Sequence, residues 1–107
     1  MKDLIDTIGT SYGASKAQKQ FIYKIVKCEN KELDPNLQSR HKRPDGSREQ
    51  SYGLAQVYIP AGNRGTDGVV FTQATARDPV YSLGFIVKSV VDGRSHLWTC
   101  AKLVDST

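Results

Sequence analysis

Glu29 stands at the end of an apolar helical stripe, three residues beyond Val26 and four beyond Ile25. Side chains at those spacings share one helix face, so this carboxylate is directed inward with Ile25 and Val26. A carboxyl group in such a place loses hydration. Its charged form is disfavoured, its pKa rises, and it gains the tuning a general acid needs. Further along, Ser51-Tyr52-Gly53-Leu54-Ala55-Gln56 forms a compact segment of the kind that lines a sugar cleft. Ser51 and Gln56 offer donors and acceptors for hydroxyl and acetamido groups. Gly53 permits close backbone approach, and Leu54 can anchor the segment in the core. An acid on an apolar helix facing a polar wall is the minimum equipment for breaking a glycosidic bond. The plainer alternative is a helix-end glutamate leaning into solvent, but of Glu29, Glu32 and Glu49 only Glu29 shares the stripe.

The elements that must hold these residues follow from periodicity and punctuation. Leu4, Ile5 and Ile8 support one or two amphipathic turns, and Gly9 to Gly13 reads as a breaker, so residues 1–14 are expected to be a loosely packed N-terminal extension. Ser15-Lys16-Ala17-Gln18 is a capping box that opens the first long helix. Its core face is Phe21, Ile22, Ile25 and Val26, and it is expected to run past Glu29 and Leu33 until Asp34-Pro35 ends it. Residues 34–50 are polar loop, with Asp45-Gly46 a turn or hairpin tip. Ser51 to Tyr58 predicts a short strand or a single helical turn stopped by Pro60, and Gly62 to Gly68 predicts loop. A short helix is expected from a Thr72 cap to Arg77. Asp78-Pro79 then starts the most buried helix, through Leu83, Phe85, Ile86, Val87, Val90 and Val91, with Gly93 as its stop. Leu97-Trp98-Thr99-Cys100 makes a last packed turn, in which Trp98 reads as core rather than sugar platform.

Length and charge set the bounds. The 107 residues predict a single domain spanning 1–107. Hydrophobic residues are 38% and charged residues 24%, ordinary for a globular protein, and no run is long enough to span a membrane. The apolar stretch at Met1–Ile8 is interrupted by acids, so no secretory leader is read there. A net charge of +4 suits a polyanionic partner without choosing among nucleic acid, anionic membrane surface and acidic cell wall. Arg40-His41-Lys42-Arg43 could serve such a partner or lie solvated in a loop. No aromatic stacking array accompanies it, which argues against nucleic acid. His41 and His96 lack the paired spacing of a metal site, so neither metal nor cofactor is expected. Cys28 and Cys100 are the only cysteines. Composition leaves them as two buried thiols or as a bridge, which would be worth roughly 4 kcal/mol on the chain-entropy model.

Taken together, Glu29, Asp34-Pro35 and Ser51-x-Gly53-Leu54-x-Gln56 resemble, in order and type, the motifs of the lysozyme-like family of soluble lytic transglycosylases and goose-type lysozymes. Asp78-Pro79 before a long apolar helix also fits. The closing Leu97-Trp98-Thr99-Cys100 looks like the tail of small bacterial or phage members, in which a cysteine before the glutamate pairs with one after a tryptophan. The resemblance covers about residues 17 to 102. It implies a mainly α (α+β) lysozyme-like domain with at most a small β element, and a Cys28–Cys100 disulfide. It further implies Glu29 as the single catalytic acid/base, and Asn30, Ser51, Tyr52, Gly53, Gln56 and Tyr58 as substrate contacts. The expected partner is peptidoglycan, cleaved between N-acetylmuramic acid and N-acetylglucosamine by an extracytoplasmic monomer, with no nucleic acid and no membrane span.

The chain departs from the family at three places. Asn30 replaces the serine after the catalytic glutamate. Arg48-Glu49-Gln50 replaces the Gly-Ala step before the Gly-Leu segment. The Ala-Tyr-Asn-x-Gly motif has no counterpart, which leaves Tyr52, Tyr58 and Tyr81 as substitutes. Asp34 and Asp45 are candidate second carboxylates, better explained as a loop cap and a turn residue. Two alternatives stand beside catalysis: a non-catalytic glycan-binding module on the same fold, and a small basic nucleic-acid-binding domain.

Overall fold

Ser15 caps the first long helix as its sequence predicts. Its hydroxyl accepts from the Gln18 N–H at 3.1 Å, and the Gln18 side chain accepts from the Ser15 N–H at 2.8 Å. The computed structural model describes residues 1–40, 42, 44–58, 63–66 and 69–104, with backbone alone at 57, 58, 63–66, 69–71 and 73. The protein is mainly helical. Helices α1 (Lys2–Ser11) and α2 (Lys16–Glu29) precede a hairpin of β1 (Ser51–Tyr52) and β2 (Val57–Tyr58). A second hairpin, β3 (Asn63–Thr66) with β4 (Val69–Thr72), leads into α3 (Gln73–Ala76) and α4 (Pro79–Val91). A 3-10 turn at Ser95–Leu97 and α5 (Thr99–Val104) follow.

The α2 stripe meets α4 in one core, where Ile22, Ile25, Val26, Leu83, Ile86 and Val87 have no exposed surface. Burial on that scale contributes about 1.5–3 kcal/mol per large side chain, which makes this layer the main source of stability. Asp78 caps α4 by accepting from Val80 and Tyr81, with Pro79 in the first turn. Trp98 is core, as expected. Its indole N–H donates to the Ala55 carbonyl at 3.0 Å, and its ring lies edge-on to Phe85.

Three expectations are corrected. Residues 1–14 are no loose extension: α1 runs through Gly9, buries Ile5 to 1% exposure and docks on α2 and α4. Gly9 faces the neighbouring helix, where a Cβ would come within 3.0 Å of Lys19 Cγ, so the missing side chain lets Lys19 cross to Asp6 at 2.8 Å. The true breaker is Gly13, at φ +77°. Helix α2 stops at Glu29 rather than running on to Leu33, because Asn30 caps it and Leu33 turns the chain at φ +52°. Finally, part of Gly62–Gly68 is strand, not loop. Asn63–Thr66 pairs antiparallel with Val69–Thr72, and the β-prone Val-Val-Phe-Thr partner supplies a propensity that Asn-Arg-Gly-Thr lacks.

The Ser51–Tyr58 segment is a hairpin, with Ser51 opposite Tyr58 and Tyr52 opposite Val57. Its turn is driven against α3. Gly53 sits at φ +78°, and any Cβ there would overlap the Ala76 carbonyl oxygen. Gly53→Ala is therefore expected to destabilise the fold by about 2–5 kcal/mol, from left-handed strain plus overpacking. A urea-unfolding midpoint compared with that of the parent protein measures it.

Candidate active site

Glu29 is half-buried at the last position of α2, held between two anchors. On one side, Cys28 is disulfide-bonded to Cys100, which pins the end of α2 to the start of α5. The Cys100 N–H reaches Glu29 Oε1 at 3.5 Å. On the other side, Asn30 is fully buried and ties the chain to two loops. Its amide nitrogen donates to the carbonyls of Asp34 at 2.7 Å and Gly53 at 3.2 Å, and its Oδ1 accepts from the Asp34 N–H at 3.1 Å. The expected sugar-contacting role of Asn30 is corrected accordingly: every polar atom of its amide is spent on backbone.

The groove at this end holds about 260 Å³ and is lined by Glu29, Glu32, Leu37, Ser39, Arg40 and Gln56 among others. Gln56 thus faces the same concavity as the acid. It is itself fixed, donating from Nε2 to the carbonyls of Leu37 at 3.2 Å and Gly53 at 2.8 Å. Among the described residues, the two non-glycine positions with positive φ, Leu33 at 52° and Gln56 at 47°, belong to the two segments that meet here. Backbone strain of this sort persists where the surroundings over-determine it, and it concentrates at functional sites.

The other hairpin residues lie behind the groove wall. Ser51 is 3% exposed and Tyr52 5% exposed, and Gly53 is buried against Ala76. The Arg77 guanidinium covers the Tyr52 ring at 4.8 Å. Ser51, Tyr52 and Gly53 therefore build the wall rather than touch a ligand directly, which corrects the expectation for all three. The Tyr58 side chain, and with it one of the expected contacts, lies outside the described residues, as do His41 and Arg43 of the basic run. Asp34 and Asp45 make turns, accepting from the N–H groups of Asn36 and Ser47 respectively.

Sequence reasoning missed Glu49. Its Oε1 accepts from the Ser51 hydroxyl at 2.7 Å, on the strand that runs beside the groove residue Ser39. The available signal was the two-residue spacing from Ser51, which puts both side chains on one face of an extended chain. Burial pushes the Glu29 carboxyl above the usual carboxylate range; the Cys100 N–H opposes that rise, and the Glu49 charge adds to it. The arrangement can hold a proton on Glu29 beyond the pH at which an exposed glutamate has lost it.

Among the described residues no group of three or more His, Cys, Asp or Glu side chains is placed to hold a metal ion, and no helix is long and apolar enough to cross a membrane. No protein-family model, curated protein or solved structure matches the chain.

A raised folded-state pKa also links Glu29 to stability. Below the ordinary glutamate pKa, folded and unfolded chains are both protonated and Glu29 contributes nothing. As pH climbs toward the raised value the unfolded chain releases its proton first, so stability falls, and the loss is complete once the folded carboxyl ionises. Glu29→Gln is expected to be more stable than the parent at neutral pH, with a flatter profile as pH rises from the ordinary glutamate pKa of about 4.3 through the raised folded value. Chemical unfolding across that range provides the check.

Proposed function

We propose that the protein cleaves the glycan strand of peptidoglycan at the β-1,4 bond between N-acetylmuramic acid and N-acetylglucosamine. The observation that carries this reading is the desolvated Glu29 carboxyl, set in a groove opposite Gln56 and backed by the Ser51–Gln56 hairpin. An acid whose pKa is raised by burial keeps its proton to higher pH than an exposed glutamate does, and can deliver that proton to a leaving oxygen. The resemblance in order and type between Glu29, Asp34-Pro35 and Ser51-x-Gly53-Leu54-x-Gln56 and the lysozyme-like motifs supplies the substrate class.

In this scheme Glu29 protonates the oxygen joining the two sugars as the bond to the muramic acid C1 breaks. The acetamido oxygen of the same sugar shares the positive charge that develops there, a known exception to the two-carboxylate scheme. Glu29, now ionised, takes a proton from the incoming nucleophile. A water yields a reducing sugar, and the sugar's own C6 hydroxyl yields an anhydro product. Gln56 holds its side chain in the groove through the Leu37 and Gly53 carbonyls and offers Oε1 to a sugar hydroxyl or N–H. Glu49 acts through charge, keeping the proton on Glu29.

Clearing of a peptidoglycan suspension tests the proposal. Glu29→Gln should lower the clearing rate by about 100-fold or more while the fold is retained, since general acid–base catalysis contributes about 10²–10⁴-fold. Equal clearing by both proteins would end the catalytic reading and leave a glycan binder. The rate should decline as pH rises through the Glu29 pKa. Glu49→Gln removes a repelling charge, lowers that pKa, and should move the alkaline limb to lower pH.

A further inference from the structure

The disulfide between Cys28 and Cys100 closes against the carboxyl that the proposed cleavage uses. Cys28 immediately precedes Glu29 and, half-buried, lines the same groove of about 260 Å³. Cys100 is the residue whose N–H reaches Glu29 Oε1, at 3.5 Å. That distance lies at the long limit of hydrogen bonding, so a small retreat of Cys100 ends the contact. The rest of this region is held without the disulfide. Trp98 is buried and donates to the Ala55 carbonyl at 3.0 Å, Ala101 is buried beside it in sequence on α5, and Asn30 has its own bonds to backbone. Packing therefore keeps α5 against α2, while the disulfide sets how near the Cys100 N–H comes to Glu29.

We propose that the Cys28–Cys100 disulfide is a redox latch on the Glu29 groove. Closed, it orients the carboxyl for proton delivery; opened by a small dithiol entering the groove, it releases the carboxyl and the reaction slows. The latch rests on Glu29 serving as the acid of the proposed cleavage. One thiolate of the dithiol attacks Cys28 Sγ, the S–S bond breaks, and Cys100 leaves as a thiolate that takes up a proton. The second thiol then displaces Cys28 from the mixed disulfide. Two electrons and two protons pass to the cysteines, which end as thiols, and the dithiol ends as its own disulfide. While the latch is closed, the Cys100 N–H engages Oε1 and leaves the other carboxyl oxygen for the groove. Opening removes the hydrogen bond that lowers the Glu29 pKa, whereas the burial that raises it is kept by the packing of Trp98 and Ala101. The other charges about the carboxyl keep their places. Lys31, Glu32, Arg40 and Glu49 lie on the chain that Asn30 anchors, and His96 and Lys102 line a different groove.

Clearing of peptidoglycan by the full chain before and after dithiothreitol tests the latch, with melting curves to verify folding. Reduction should slow clearing by at least about 10-fold, within the about 100-fold that a 1 Å misplacement can cost, and reoxidation should restore it. The alkaline limb of the remaining activity should move to higher pH, because the carboxyl keeps its burial and loses its donor. A disulfide that only held the fold together would on reduction expose Glu29 and move that limb to lower pH, which would overturn the latch. An unchanged rate would overturn it too. Cys28→Ala/Cys100→Ala should match the reduced parent without any reductant, and a double variant as fast as the oxidised parent sinks the proposal. Thiol release needs no folded product. Attack through the groove should be nearly independent of sub-denaturing urea, and a steep rise with urea would place the attack on the unfolded chain and overturn the latch. If the oxidised parent clears no faster than Glu29→Gln, the glycosidase reading fails by itself. Titration of the Glu29 carboxyl by NMR then decides the latch: its pKa should rise on reduction, and an unchanged or lowered value overturns it.

Discussion

The buried amide of Asn30 is the interaction on which this end of the molecule depends. A helix that stops inside a protein leaves carbonyls and N–H groups that must be paired, because an unpaired buried polar group costs about 1–3 kcal/mol. Asn30 meets that demand with one side chain, joining the Asp34 backbone and the Gly53 carbonyl. In doing so it stops α2 directly after Glu29 and docks the hairpin against the helix end. The Cys28–Cys100 bridge does the complementary task from the opposite side, bringing the Cys100 N–H toward the carboxylate. A serine in place of Asn30 could not span both loops, since a hydroxyl has a single donor where the amide has two.

Around that junction the backbone is held in forms it would not adopt alone. Leu33 and Gln56 both have positive φ, and Gly53 is pressed onto Ala76 where no side chain fits. Such positions add strain, and the packed layer of Ile22, Ile25, Leu83 and Ile86 beneath them provides the stability that offsets it. The hairpin residues divide their roles by depth: Ser51 and Tyr52 are structural, while Gln56 reaches the concavity. The electrostatics follow the same geometry. Burial raises the Glu29 pKa, one backbone N–H resists, and the Glu49 carboxylate adds its repulsion.

Positive charge is distributed unevenly over the chain. The α1–α2 surface holds a cluster of lysines, whereas Arg40 in the Glu29 groove is paired with Glu32 at 2.6 Å.

Much of this was legible in the chain itself. The apolar stripe, the Ser15 capping box, the Asp78-Pro79 start and the placement of Glu29 on the inward face are local signals, set by helical period and by the partners a helix end demands. So was the mainly helical class. Tertiary structure alone decided the rest. Whether Gly9 breaks a helix or admits a neighbour depends on what lies across from it, and here Lys19 does. Whether Asn30 faces a ligand or the interior depends on where the residue 34 loop and Gly53 come to rest. The joining of Cys28 to Cys100, 72 residues apart, likewise exists only once the chain has folded back on itself. Sequence specifies which groups must be paired or buried; which partner each one finds is a matter of distance in three dimensions, and the local pattern carries no information about that.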